Sequence, residues 1–323
     1  MERNEKYWQG TPKLNRVIFK VIPDAQTRLL SLEAGEIDLI SCYGASNTSK
    51  TELTRLEKNP DIVVDTARNW KVGHHLVFNT KTGPCKNIKV RKAICHAINA
   101  KEIKENVVGE YGIAGKAHLS PASPYADPRL EGYDYNLEKA KQYLKDAGWK
   151  DNDGDGVLDK DGTSFNIKLL LTKGDKTAIA EMVQNQLQNI GIQVEIQFLE
   201  CGAQSKAIKE GKFDLVLFTG KYCSGADPHL HFRQIYHSGI DERYNYIFKN
   251  DKLDKLIDRL YTTIERDKRL KVYQEIQKIL LENAAAVYIY YEDQVAFYNK
   301  RVKNFDPFSG QLNTLWKTCL RER

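Results

Sequence analysis

The chain has 323 residues, enough for about two domains, and its 41% hydrophobic and 28% charged residues are typical of a globular protein. No stretch approaches the roughly 18 consecutive apolar residues of a membrane span. The net charge of +6 comes from 49 basic residues dispersed among 43 acidic ones, which favours solvated helix faces over a nucleic-acid-binding surface.

The six cysteines are too widely spaced for a zinc ribbon or a dense disulfide framework. They are Cys42, Cys85, Cys95, Cys201, Cys223 and Cys319. The sequence also lacks a GxSxG elbow, a P-loop, a GxGxxG turn after a strand and an HExxH helix. The chain is therefore predicted not to be an enzyme and to need no obligatory cofactor.

The N-terminal segment predicts a strand, a helix and a second strand. The first strand spans 17–21, a β-rich apolar run that Pro23 stops. Asp24 is the expected cap of a helix over 25–34, and Gly35 its expected end. The second strand spans 37–40, which completes a βαβ unit.

Strands and helices continue to alternate through the rest of the chain, which favours an α/β fold. The predicted strands are 73–80, 165–171, 193–199, 213–218, 286–291 and 295–298. The predicted helices are 88–99, 133–148, 178–190, 252–264 and 266–283. In the helix 88–99, Arg91 and Lys92 are expected to face solvent.

Several of these segments carry motifs in a fixed order. They are Asn4, Tyr7-Trp8, Gly10 and Pro12, then Ile22-Pro23-Asp24, and then Gly35-Glu36-Ile37-Asp38. The later segments 88–99 and 139–149 match two further helix motifs. With this set the chain resembles the family 5 solute-binding proteins of peptide and nickel ABC importers.

The resemblance implies a two-lobed fold of the periplasmic-binding-protein type (type II), with one complete and one incomplete lobe. Residues 1–76 would form the C-terminal part of lobe I, 77–290 would form lobe II, and 291–323 would return to lobe I. Relatives have roughly two hundred more residues before this point, so an upstream part is expected, together with the signal peptide that this chain does not show.

The segment 219–241 is the richest candidate for a ligand site. It follows the predicted strand 213–218, and ligands of α/β sheets bind outside the carboxyl ends of strands. His229, His231 and His237 occur within nine residues, and neutral imidazole suits nickel, copper and zinc. Ordinary hydrogen bonding of these histidines within a loop is the competing interpretation.

The resemblance divides the candidate ligands into peptides and nickel chelates. In peptide-binding relatives an Asp that pairs with the peptide's ammonium group would fall at Ser224 or Gly225. A buried ammonium group without a carboxylate is costly, which argues against a peptide. Asp227, Pro228 and His229 instead match the "D-P-H" of the nickel-binding relatives.

In such nickel binders a small organic acid chelates the metal and a loop histidine reaches it. The resemblance implies that Tyr222 stacks on the chelate and that His237 is the candidate metal ligand, with His229 as the second. The predicted ligand-binding residues are Tyr222, Asp227, His229 and His231.

A second, weaker candidate is a calcium loop. Asp151, Asp153, Asp155 and Asp159 match ligand positions of an EF-hand, but Gly162 stands where a bidentate Glu is needed. No exiting helix is predicted, so a polar turn is the favoured interpretation.

Together these observations predict the substrate-binding component of an ABC importer that captures a nickel chelate between two lobes. It would be a monomer outside the cytoplasm, in the periplasm or as a surface lipoprotein, and its partners would be the permease subunits. An oligopeptide or dipeptide is the alternative cargo. A metal-dependent hydrolase using Asp227, His229 and His231 is the remote alternative.

Overall fold

The computed structural model describes residues 1–41, 48–172, 177–220, 227–306 and 318–320, with main-chain detail alone at 68–71 and 319–320. The chain divides into two compact units. Unit 1 comprises Met1–Asn69 with Asp293–Arg323, and unit 2 comprises Trp70–Glu292. The assignment of these units to lobes stays a prediction.

Helices and strands alternate along the described residues, so the predicted α/β class is confirmed. The helices are α1 (Ala25–Glu33), α2 (Lys50–Glu57), α3 (Ile88–Ala97), α4 (Ala100–Val107), α5 (Leu137–Asp146), α6 (Thr177–Gln188), α7 (Cys201–Lys209), α8 (His229–Tyr236), α9 (Asp251–Thr262) and α10 (Arg266–Glu282). The strands are β1 (Leu39–Ile40), β2 (Ile62–Phe78), β3 (Gly112–Ala114), β4 (Asp159–Lys160), β5 (Thr163–Ser164), β6 (Asn166–Thr172), β7 (Gln193–Leu199), β8 (Leu215–Gly220), β9 (Ala286–Asn299), β10 (Val302–Lys303) and β11 (Cys319–Leu320). None of the helices described here has the length and apolar character to cross a bilayer.

In unit 1, the predicted helix forms with its predicted ends. The Asp24 side chain accepts the Thr27 N–H at 2.8 Å and caps α1. Gly35 follows the helix with a φ of 71°, a left-handed conformation that glycine adopts without a Cβ penalty. Strand β1 then pairs antiparallel with the end of β9, Leu39 opposite Tyr298.

The predicted strand over 17–21 does not form, and this prediction was wrong. Its apolar side chains are open to solvent, with Ile18 at 73% and Val21 at 89% relative exposure. A strand needs a neighbouring strand to receive its main-chain hydrogen bonds, and no described strand pairs with this run. The run 17–21 thus has the composition of a strand but no partner strand within the described residues.

In unit 2, the sheet has the order β9-β2-β8-β6-β7, and β3 pairs with β9. Strands β6, β7 and β8 are parallel, while β2 runs antiparallel to β8. The sheet residues Val77, Leu170 and Val216 share one buried cluster with apolar side chains of α8, α9 and α10. Helix α8 is thereby fixed against the sheet beside the end of β8.

Two other expectations need correction. The strands predicted at 286–291 and 295–298 are one continuous strand, β9. Arg91 is 5% exposed rather than on the solvent side. Its guanidinium donates hydrogen bonds to the main-chain oxygens of Cys85 and Lys86, just before α3, and of Asn283 and Ala284, just after α10. These bonds satisfy its donors in the interior.

The cysteines with described side chains are free thiols. Cys85 and Cys95 are buried and Cys201 is exposed. Burial raises the pKa of the Cys85 and Cys95 thiols, which keeps them protonated at neutral pH. Both cysteines therefore pack as small apolar core residues.

Candidate functional site

The end of β8 lies beside the interior of β2, where Gly220 is opposite Gly73, and this part of the unit 2 sheet carries two of the histidines. In the antiparallel pairing, His74 is opposite Thr219 and His75 is opposite Phe218. The predicted ligand segment starts here. Its part 221–226, which includes Tyr222 and Cys223, lies outside the described residues.

The sequence predicts a loop over the segment 219–241, and this prediction was wrong for its middle part. Residues His229–Tyr236 form helix α8. Phe232, Ile235 and Tyr236 are buried at helical spacing against the sheet. In the sequence, this apolar stripe is masked by the polar and imidazole side chains between its members.

Asp227 is held by two side chains of α10. One carboxylate oxygen accepts from Arg269 Nε and the other from the Tyr273 hydroxyl. The latter oxygen also accepts the His229 N–H at 2.9 Å, at the start of α8. Burial raises the pKa of Asp227, but the hydrogen bonds from Arg269 and Tyr273 outweigh burial and hold the pKa below its ordinary value.

His229 lies in the first turn of α8 with 9% of its surface exposed. Its ring meets Tyr261 edge-on, with the centroids 4.5 Å apart. Its Nε2 is buried and has no hydrogen-bond partner among the described residues. Burial, assisted by the charge of Arg269, lowers the pKa of His229, so the ring is neutral at pH 7.

His231 meets a histidine that the sequence did not single out. The Nε2 atoms of His118 and His231 are 2.9 Å apart, and the ring centroids are 5.0 Å apart at 27° between planes. The centroid distance exceeds the nitrogen distance by nearly the width of an imidazole ring, so the rings meet edge to edge. One ring donates N–H to the other's lone pair.

Behind this pair lies His75, which is 1% exposed. Its ring is 5.3 Å from that of His118 and 4.9 Å from that of Tyr288. Burial lowers the pKa of His75 and His118 well below the ordinary value, and it lowers the pKa of His231 to about 3. The three imidazoles are therefore neutral at pH 7, the form that binds metal ions.

His74 points to a different set of groups, as expected for adjacent residues of a strand. Its Nε2 is 3.2 Å from a carboxylate oxygen of Glu292, and Thr219 Oγ1 is 3.1 Å from its Nδ1. Both His74 and His75 are buried.

His237 is separated from these groups by the length of α8. Its Nε2 is 3.2 Å from Asp258 in α9, and its Nδ1 accepts the Gly239 N–H at 3.1 Å. The structure therefore joins His231 to His118, whereas His229 and His237 have other neighbours. The predicted metal-ligand roles of His229 and His237 stay predictions.

The acidic loop brings three of its four candidate ligands together. Carboxylate oxygens of Asp151, Asp153 and Asp159 lie within 4.8 Å of one another, the only such group of three ligand residues in the described part of the chain. Asp155 instead accepts the Val157 N–H at 2.7 Å. The oxygens of Asp151 accept the N–H groups of Gly154 and Gly156, which is the expected polar turn.

Comparison with known proteins identifies the family. The profile of "Bacterial extracellular solute-binding proteins, family 5 Middle" matches residues 1–242. Over 300 residues the chain is 33% identical to the oligopeptide-binding protein AppA of Bacillus subtilis, covering 90% of this chain and 53% of the relative. It is 28% identical to the nickel-binding periplasmic protein of Escherichia coli over 297 residues, which are 90% of this chain and 55% of that relative.

Solved structures agree with the sequence relatives. AppA of Bacillus subtilis in complex with a nonapeptide superposes with a TM-score of 0.83 at 30% identity, over 99% of this chain and 63% of that structure. NikA of Brucella suis in complex with Fe(III)-EDTA superposes with a TM-score of 0.87 at 25% identity, over 99% of this chain and 65% of that structure. The chain spans about half the length of the curated relatives that it matches.

The motif order, the α/β fold and these matches agree with one another. The resemblance found in the sequence is thus confirmed: this chain belongs to the bacterial extracellular solute-binding proteins of family 5.

Proposed function

We propose that this chain carries the cargo-binding residues of an ABC importer's solute-binding component, and that the cargo is a small nickel chelate. In this role the protein would work outside the cytoplasm as a monomer and deliver its cargo to the permease subunits. Family membership supports the general role. The side chains of Asp227, His229 and His231, which follow β8, support nickel as the cargo.

The observation that carries the choice of cargo is the state of Asp227. Its carboxylate is engaged by Arg269 and Tyr273 and so is neutralised within the protein. A peptide's ammonium group would need an uncompensated carboxylate at the site. The neighbouring imidazoles of His229 and His231 are neutral donors, which suit nickel.

The predicted contacts are assigned as follows. Tyr222 would stack on the chelate, and His231 would face it from the first turn of α8, whereas the His229 ring points to another side of the helix, against Tyr261. Asp227 would hold the start of that helix through its bonds to α10. His237 contacts Asp258, so we favour His231 over it as the residue that reaches the metal.

An oligopeptide is the second candidate, because AppA of Bacillus subtilis is 33% identical over 90% of this chain. Isothermal titration calorimetry of the full chain distinguishes the two cargoes. We expect binding heat with nickel plus two equivalents of histidine, and none with di- to nonapeptides or with histidine alone. Binding of peptides without binding of the nickel complex would replace our proposal with the second candidate.

A further inference from the structure

Two imidazoles from distant parts of the chain meet near the end of β8. His118 follows β3, and His231 lies in the first turns of α8. Their Nε2 atoms are 2.9 Å apart. Two nitrogens bound cis to one metal ion at about 2.0–2.1 Å, in a square-planar or octahedral site, are likewise about 2.9 Å apart.

The two members of the pair differ in burial. His118 is 2% exposed, and its ring packs against Phe232 at 4.9 Å and Tyr236 at 5.3 Å between centroids. The Tyr236 hydroxyl lies 3.4 Å from His118 Nδ1. When the His118 proton is on Nδ1, this hydroxyl can accept its hydrogen bond, and the Nε2 lone pair of His118 then points toward the metal position. His231 is the less buried of the two rings, so an ion would approach from its side.

We infer that His118 and His231 form a two-histidine site for a divalent transition-metal ion, with the remaining coordination positions left to the ligands of a chelator. This inference rests on the proposed function for the identity of the cargo, nickel. Burial disfavours the charged imidazoles, so both rings are in the neutral form that binds metal ions.

Metal binding requires a small rearrangement. In the structure one N–H points at the facing nitrogen, so that proton must move to the Nδ1 atom of its own ring. The two lone pairs must also turn toward a common point. For a cis pair the centroids would be about 4.5 Å apart, whereas here they are 5.0 Å apart, so a shift of about 0.5 Å is enough. The partly exposed His231 is the ring that would move.

The test uses the full chain and two probes, nickel chloride alone and nickel with two equivalents of histidine. We expect His118→Gln and His231→Gln each to weaken nickel binding at least tenfold in calorimetry. His96→Gln is the matched control, because His96 contacts Tyr143 and the Asp134 main-chain oxygen instead. Its nickel affinity should equal that of the unmodified chain.

Circular dichroism checks that each variant is folded. X-ray absorption spectroscopy of the unmodified chain with nickel chloride gives a second readout, in which we expect the scattering of two imidazoles. One imidazole or none, or unchanged affinity in both variants, overturns the inference.

The outcomes also separate this inference from the proposed function. Nickel–histidine binding that is equal in all variants keeps the proposed cargo and removes this site. Binding of nickel alone that both substitutions abolish, without binding of the chelate, keeps this site and removes the proposed cargo.

Discussion

Arg91 of α3 donates from Nη2 to the main-chain oxygen of Asn283 at 2.9 Å and thereby links α3 to the turn between α10 and β9. Its other nitrogens reach the main-chain oxygens of Ala284 at 3.1 Å and Cys85 at 3.0 Å. Arginine suits this position because its planar guanidinium donates in several directions at once.

We therefore expect Arg91→Met to lower the free energy of unfolding by at least about 3 kcal/mol, since it leaves several carbonyls without a donor. Arg91→Lys should recover only part of the loss, because one ammonium group cannot reach all of them. Urea denaturation measures both. Lys141→Met, at an exposed position of α5, is the control and should stay within about 0.5 kcal/mol of the unmodified chain.

The second prediction concerns the bond between Asp227 and Arg269. Removing either partner leaves the other charge partly buried, so Asp227→Asn and Arg269→Gln should each cost about 1–3 kcal/mol of unfolding free energy. The double variant should cost clearly less than the sum, with a coupling of about 1–2 kcal/mol. Urea denaturation of the unmodified chain, the two single variants and the double variant gives the four unfolding free energies of this double-mutant cycle.

Lys268→Gln provides the control for that cycle. Lys268 pairs with Glu265 on an exposed surface, where a single pair contributes less than about 1 kcal/mol. Strict additivity of Asp227→Asn and Arg269→Gln would show that the two residues do not stabilise the start of α8 as a unit.

The third prediction is loss of stability in mild acid. Burial lowers the pKa of His75, His118 and His231 in the folded chain, whereas the unfolded chain has the ordinary value near 6.5. The unfolded state therefore binds more protons, and stability falls as the pH drops below about 6.5. For His231, with a folded pKa of about 3, the loss at pH 5 is about 2 kcal/mol.

Urea denaturation between pH 7 and pH 5 measures this slope. His231→Gln should make the slope shallower by up to about 1.4 kcal/mol per pH unit, because one titrating group is removed. His96→Gln serves as the comparison. Equal slopes in the unmodified chain and in His231→Gln would contradict a lowered pKa at His231.

The fourth prediction concerns the acidic loop. Asp151 accepts two main-chain N–H groups, so Asp151→Ala should lower the free energy of unfolding by about 1–2 kcal/mol without any metal present. Because Gly162 replaces the bidentate Glu of a calcium loop, millimolar calcium should leave the melting temperature of the unmodified chain unchanged. A rise with calcium that Asp151→Ala abolishes would instead support the calcium site.

The sequence by itself determined the family and most elements of the fold. Signals that act within a few residues were sufficient: Asp24 and Gly35 specify the two ends of α1, and the apolar run 165–171 specifies β6. These signals work because capping, left-handed turns and strand alternation depend on neighbouring residues. The ordered motifs then placed the chain among the solute-binding proteins.

Only the tertiary structure decided which side chains meet. Arg91 has the local pattern of a surface residue, yet it is buried on carbonyls from the far end of unit 2. The run 17–21 has the pattern of a strand but no described partner. His118 and His231 are 113 positions apart in the chain, and no local spacing connects them. Their contact depends on the packing of α8 against the sheet, and non-local packing of this kind leaves no periodic signal in the sequence.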